Sequence, residues 1–117
     1  MKTIDVLKKA RALIAKGWTQ SVGAADEYGL HVDIASFRAC KFCASGAVCR
    51  AAGNDIPSRM LAMRSLARVV PDSARSRSRD ATMRVIVFND AKGRTRRQVL
   101  AAFDKAIKQE KAKANAR

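Results

Sequence analysis

Residues 36–53, S-F-R-A-C-K-F-C-A-S-G-A-V-C-R-A-A-G, constrain the chain most, because nearly every position is apolar or small. Arg38, Lys41 and Ser45 lie three and four apart and make one narrow polar stripe, with only Arg50 off it, where a surface helix would carry a polar half. The stretch therefore predicts a central helix, opened by Ser36 and closed by Gly53-Asn54. Gly46 in its interior costs about 1 kcal/mol relative to Ala. With Ala39, Cys43 and Ala47 it leaves a flat strip where another element can approach closely.

The flanking segments read as shorter helices around that centre. Residues 3–16 place Val6, Leu7, Ala10, Leu13 and Ile14 on one stripe, with Thr3 as cap, Asp5 in the first turn and Gly17 as a left-handed end. Trp18 closes the edge of the core. Residues 21–34, with Asp26-Glu27-Tyr28-Gly29 as a turn, read as a loop or a small two-stranded hairpin.

Pro57 suits the first position of a third helix whose inward stripe is Ile56, Met60, Met63, Ala67 and Val70, with Arg59, Arg64 and Arg68 outside and Pro71 as the stop. Residues 71–79 form a Ser/Arg-rich linker. Residues 80–88 suit a strand or a short helix, and the absence of a pairing partner favours the helix, with Asn89 as its C-cap. Thr95-Arg96-Arg97-Gln98 is a capping box that starts the last helix. Val99, Leu100, Phe103, Ala106 and Ile107 form its buried stripe, Asp104 and Lys108 make a favourable pair, and residues 111–117 are expected to fray. The expectation is one mainly α domain over residues 1–117, with four or five helices around the central one.

Charge carries the functional signal. Lys and Arg number 24 against 10 Asp and Glu, a net +14, and the excess grows along the chain: +1 over residues 1–36, +5 over 37–70 and +8 over 71–117. Such a surface seeks polyanions. The densest stretch is Lys92-Gly93-Arg94-Thr95-Arg96-Arg97 at a helix start, where free N–H groups favour an anion, whereas Arg96 and Arg97 oppose the dipole by roughly 0.3–1 kcal/mol each. Together with Arg75, Arg77 and Arg79 of the linker, these residues are the candidate contacts to nucleic acid. Tyr28, Trp18 and the phenylalanines are assigned mostly to the core, so phosphate contact with little sequence preference is expected over base stacking. The competing reading is an acidic protein partner.

Enzymatic and metal chemistry find little support. On a continuous helix Cys40 and Cys43 are neighbours while Cys49 faces away, so one zinc ion cannot take all three, and reduced, buried cysteines are expected. His31, the single histidine, falls in a loop away from them, and no base stands beside a thiol. The residues point to a non-enzymatic binding protein without a cofactor. The N-terminal residues enter a charged amphipathic helix with no secretory or membrane-spanning pattern, which predicts a cytoplasmic location.

Two motifs resemble a family of small bacterial and phage proteins of unknown function. Phe42-Cys43-Ala44-Ser45-Gly46-Ala47-Val48 is similar to its Trp-Cys-x-x-Gly-Ala-Leu. Phe88-Asn89-Asp90-Ala91-Lys92-Gly93-Arg94-Thr95, followed by Gln98-Val99-Leu100, is similar to its Trp-Asn-Asp-x-x-Gly-Arg-Thr and Glu-Val-Leu. Phe stands for Trp at positions 42 and 88, and Gln98 for Glu. The resemblance implies no known activity, but it favours helix over strand for residues 80–88 and implies a phage or mobile-element setting.

Overall fold

The computed structural model describes residues 1–71 and 80–116, so Arg75, Arg77, Arg79 and most of the Ser/Arg linker lie outside the described residues. Within them the order is α1 (Thr3–Lys16), β1 (Ala24–Ala25), β2 (Lys41–Phe42), α2 (Ala44–Ala52), α3 (Ile56–Val69), α4 (Ala81–Asp90) and α5 (Arg96–Asn115). The protein is a mainly α single domain, with five helices and one small antiparallel pair of strands among the described residues.

Helix α1 buries Val6, Leu7, Ala10 and Ile14 against α5 on one side and α2 on the other. Its cap is Lys2, whose side chain makes no capping bond, and not Thr3. Gly17 is extended, with φ −171°, and not left-handed. A glycine is needed there for another reason, since a Cβ would stand 2.2 Å from the carbonyl oxygen of Cys40.

The central helix is half its expected length. Residues 36–43 are not helical, and Cys43 rather than Ser36 caps α2, its Sγ accepting from Gly46 N–H at 3.2 Å. The cause is competition for backbone donors. The N–H groups of Cys40, Phe42 and Cys43 donate to the carbonyls of Ala25, Gly17 and Gly23 at 3.0, 3.0 and 3.2 Å, and so are unavailable to a helix. The resulting extended strip pairs Ala24 with Phe42 and Ala25 with Lys41. The hairpin expected within residues 21–34 therefore finds its main partner at 41–42, with a single bridge from Ala25 to His31. The flat strip at Gly46 does receive a close neighbour, because a Cβ there would stand 2.0 Å from the carbonyl oxygen of Gly23.

Helix α3 carries Pro in its first turn, as expected, but is rotated from the expected stripe. Ser58, Ala62, Met63, Ser65, Leu66 and Ala67 face inward, while Ile56, Met60 and Leu61 are exposed. Asp55 caps it, accepting from Ser58 N–H at 3.1 Å and Ser58 Oγ–H at 2.6 Å. Residues 81–90 are helical, and Asn89 lies inside that helix, fully buried, instead of ending it. Helix α5 has the capping box in full and continues through Asn115, past the boundary near Glu110. No helix among the described residues is long and apolar enough to cross a membrane.

Candidate polyanion-binding face

The connection from α4 to α5 shows what the Phe88–Thr95 motif encodes. Asn89 Oδ1 accepts from Trp18 Nε1–H at 2.8 Å and from Ala44 N–H at 3.0 Å, while its Nδ2 donates to Thr19 O at 3.2 Å and Asp90 Oδ1 at 2.9 Å. Asp90 Oδ1 also accepts from Ser21 N–H at 3.0 Å, holding a residue whose φ is +73°. Gln20 Nε2 donates to the carbonyls of Asn89 and Ala91 at 3.0 and 3.2 Å. One polar network thus ties the end of α4 to the loop after α1 and to the start of α2. Gly93 then turns the chain with φ +82°.

Arg94 closes this turn from above. Its Nε donates to Phe88 O at 2.8 Å, and its guanidinium carbon sits 4.1 Å from the Phe88 ring centroid. Of the expected site residues, Arg94 is half-buried and engaged by its own chain, while Lys92, Arg96 and Arg97 are exposed. Arg96 reaches Ala15 O at 3.5 Å, so the first turn of α5 lies beside the last turn of α1. That placement eases the dipole conflict: the carbonyl end of α1 attracts the same cation that the amide end of α5 repels.

A second anchor sets the two helices antiparallel. Arg11 grips Asp104 with both Nε and Nη2, the latter at 3.2 Å. At about 100° per residue, Arg97, Asp104, Lys108 and Lys111 fall within about 60° of one another on α5, and Lys8 lies one turn from Arg11 on α1. Lys8, Arg97, Lys108 and Lys111 are exposed and carry no ion pair or hydrogen bond among the described residues. Arg97, Lys108 and Lys111 form a cationic row about 21 Å long on the exposed side of α5, interrupted by Asp104, which Arg11 of the neighbouring α1 neutralises. The sequence reading missed Lys108 and Lys111, taking the first as the partner of Asp104, which Arg11 holds instead, and the second as part of a fraying tail; their helical spacing from Arg97 was the signal that could have found them, whereas the contribution of α1 depends on packing.

The acids are disposed differently. Asp26, Asp33, Asp55, Asp80 and Asp90 each accept from a backbone N–H of a turn or helix start. They serve local structure.

The cysteines are scattered: Cys40 is exposed in the extended strip, Cys43 is buried as a cap, and Cys49 is half-buried in α2. Burial pushes the Cys49 thiol up, against the opposing pull of Arg59. Two aromatics assigned to the core stand outside it. Tyr28 is 80% and Phe37 89% exposed, because their backbones belong to tight turns at the edge of the strand pair.

Fold and surface together define a small, strongly basic, mainly α protein. The chain belongs to the family of unknown function DUF6197, whose model matches residues 1–109. No curated protein and no solved structure matches it.

Proposed function

We propose that this protein is a non-enzymatic, cytoplasmic binder of nucleic acid, which it meets through phosphate contacts on the seam of α1 and α5. The observation that carries the reading is the row Arg97, Lys108 and Lys111 on the exposed side of α5, with Lys8 exposed one turn from Arg11 on the neighbouring α1, none of them ion-paired among the described residues. Lys92 and Arg96 extend it around the start of α5. Lysines and arginines along one helix face neutralise a backbone without reading bases, so affinity is sequence-tolerant and salt-dependent.

Four phosphate contacts give a slope of log K against log salt of about −3.6, roughly a 150-fold loss between about 50 and 200 mM salt. Fluorescence anisotropy with a labelled duplex of random sequence tests this. Replacing Arg97, Lys108 and Lys111 together by Gln, all on an exposed face, reduces the slope by about 2.7. Absence of binding at low salt, or an unchanged slope in the variant, refutes the reading and leaves the cations to an acidic protein partner.

A further inference from the structure

At the far end of α1 from Met1, the strand pair presents a groove of about 650 Å³ between two turns. Tyr28, Leu30 and Glu27 of one turn and Phe37 and Arg38 of the other line it. Single exposed apolar side chains are ordinary, but here Tyr28, Phe37 and Leu30, the last 64% exposed, line one concavity.

The backbone that carries each ring is held by hydrogen bonds. Asp26 Oδ1 accepts from Tyr28 N–H and Leu30 N–H, each at 2.9 Å, and Asp26 N–H donates to Leu30 O at 2.9 Å. On the other side Ser36 Oγ accepts from Arg38 N–H at 3.1 Å, and Cys40 N–H donates to Ala25 O at 3.0 Å. A pinned backbone removes the main-chain part of the ordering cost of binding through these rings. The Arg38 guanidinium carbon lies 5.7 Å from the Phe37 ring centroid, so a cation accompanies the ring.

The groove is also continuous with the basic seam. From Arg38 the strip leads to Lys41, whose Cγ passes 3.2 Å from where a Cβ on Gly17 would stand. Lys16 is the next residue back along α1, and Arg96 reaches Ala15 beside it. Arg38, Lys41, Lys16 and Arg96 thus connect the two aromatic rings to the α1–α5 face.

We infer that Tyr28 and Phe37 stack the bases of a single nucleic-acid strand, whose phosphates follow Arg38, Lys41 and Lys16 onto the seam. This rests on the nucleic-acid reading above and specifies the strand state. Flat rings beside a track of cations fit a strand that offers bases on one side and phosphates on the other. Of the two acids at the groove, Asp26 is engaged by the N–H groups of its own turn, and Glu27 is an exposed neighbour of Tyr28.

The test uses the full chain with labelled oligothymidylate of about 16 nucleotides and a duplex of equal length. Tyr28→Ala and Phe37→Ala each lower single-strand affinity about tenfold, and Tyr28→Leu with Phe37→Leu does not restore it, because an aliphatic side chain has no face to stack. Duplex affinity and its salt slope stay within about twofold, since the seam is untouched. A 2-aminopurine in the strand is quenched by the native protein and not by the double Ala variant. Unchanged single-strand affinity in that variant, with duplex binding intact, overturns the inference and assigns the rings to a protein partner. Loss of all binding by the native chain, duplex included, overturns the phosphate reading as well.

Discussion

Truncating Asn89 to Ala is the most direct test of how this fold is held together. The side chain is fully buried and satisfies Trp18 Nε1–H, Ala44 N–H and Thr19 O, three groups from two other segments. Each buried group left without a partner costs about 1–3 kcal/mol. Trp18 and Thr19 are half-buried, and water can reach part of what Asn89 leaves, so the lower end applies and the sum is about 3–5 kcal/mol. For a domain of this size that lowers Tm by about 10–20 °C. Against a typical total of about 5–15 kcal/mol, it brings the protein close to unfolding.

Thermal and urea unfolding, followed by helical circular dichroism and Trp18 fluorescence, measure it. Asn89→Asp sharpens the comparison, because it keeps the acceptor for Trp18 and Ala44 but places a second carboxylate 2.9 Å from Asp90 Oδ1. Burial and the like charge raise the folded pKa of the new carboxyl. Its neutral form is therefore favoured by folding, so the variant approaches native stability as pH falls and loses stability as pH rises toward neutrality. A cost below about 1 kcal/mol for Asn89→Ala, or no pH dependence in Asn89→Asp, would show that the network does not hold α2 and α4 together.

Two further outcomes follow from single positions. Gly46→Ala destabilises the protein although helix propensity alone gains about 1 kcal/mol: its Cβ meets the Gly23 carbonyl at 2.0 Å and forces the strand loop off α2, so a raised Tm would contradict that packing. The Asp55 carboxyl is held below its ordinary range by hydrogen bonds from the Ser58 side chain and backbone and from the N-terminal ammonium, which stands 3.3 Å away. A depressed folded pKa adds stability that is present above the unfolded value near pH 4 and lost as pH falls through the folded one. Asp55→Asn, which keeps a cap acceptor, should flatten the acid limb of the stability curve; an unaltered limb in urea titrations from pH 6 down to pH 2 would refute it.

Local chemistry along the chain was sufficient for several elements. The apolar repeat of Val6, Leu7, Ala10 and Ile14 defines α1, Pro57 marks the opening turn of α3, and Thr95 with Gln98 starts α5, because periodicity and capping act within one or two turns. The single mainly α domain was legible on the same basis, whereas the helical state of residues 81–90 was favoured only by the lack of a strand partner and by the family resemblance, and the cationic repeat of Arg97, Lys108 and Lys111 was missed, Lys108 being assigned to Asp104 and Lys111 to a fraying tail.

Everything decided by non-local hydrogen bonds required the tertiary structure. Residues 36–43 have the composition of a helix, yet their N–H groups go to Gly17, Gly23 and Ala25, and that choice sets Phe37 outside and Cys43 at a cap. Asn89 has the look of a helix end, yet it is a buried centre because Trp18, Thr19 and Ala44 converge on it from distant segments. Arg94 looked like a ligand contact and is drawn back onto Phe88, while Lys8 joined the basic face only through the antiparallel docking of α1 on α5. By itself, then, the sequence determined where α1, α3 and α5 begin and how much positive charge the protein carries. Which backbone donors cross between segments, and which cations share a face, was decided by packing, because those partners are many residues apart and only the folded chain brings them within hydrogen-bond reach.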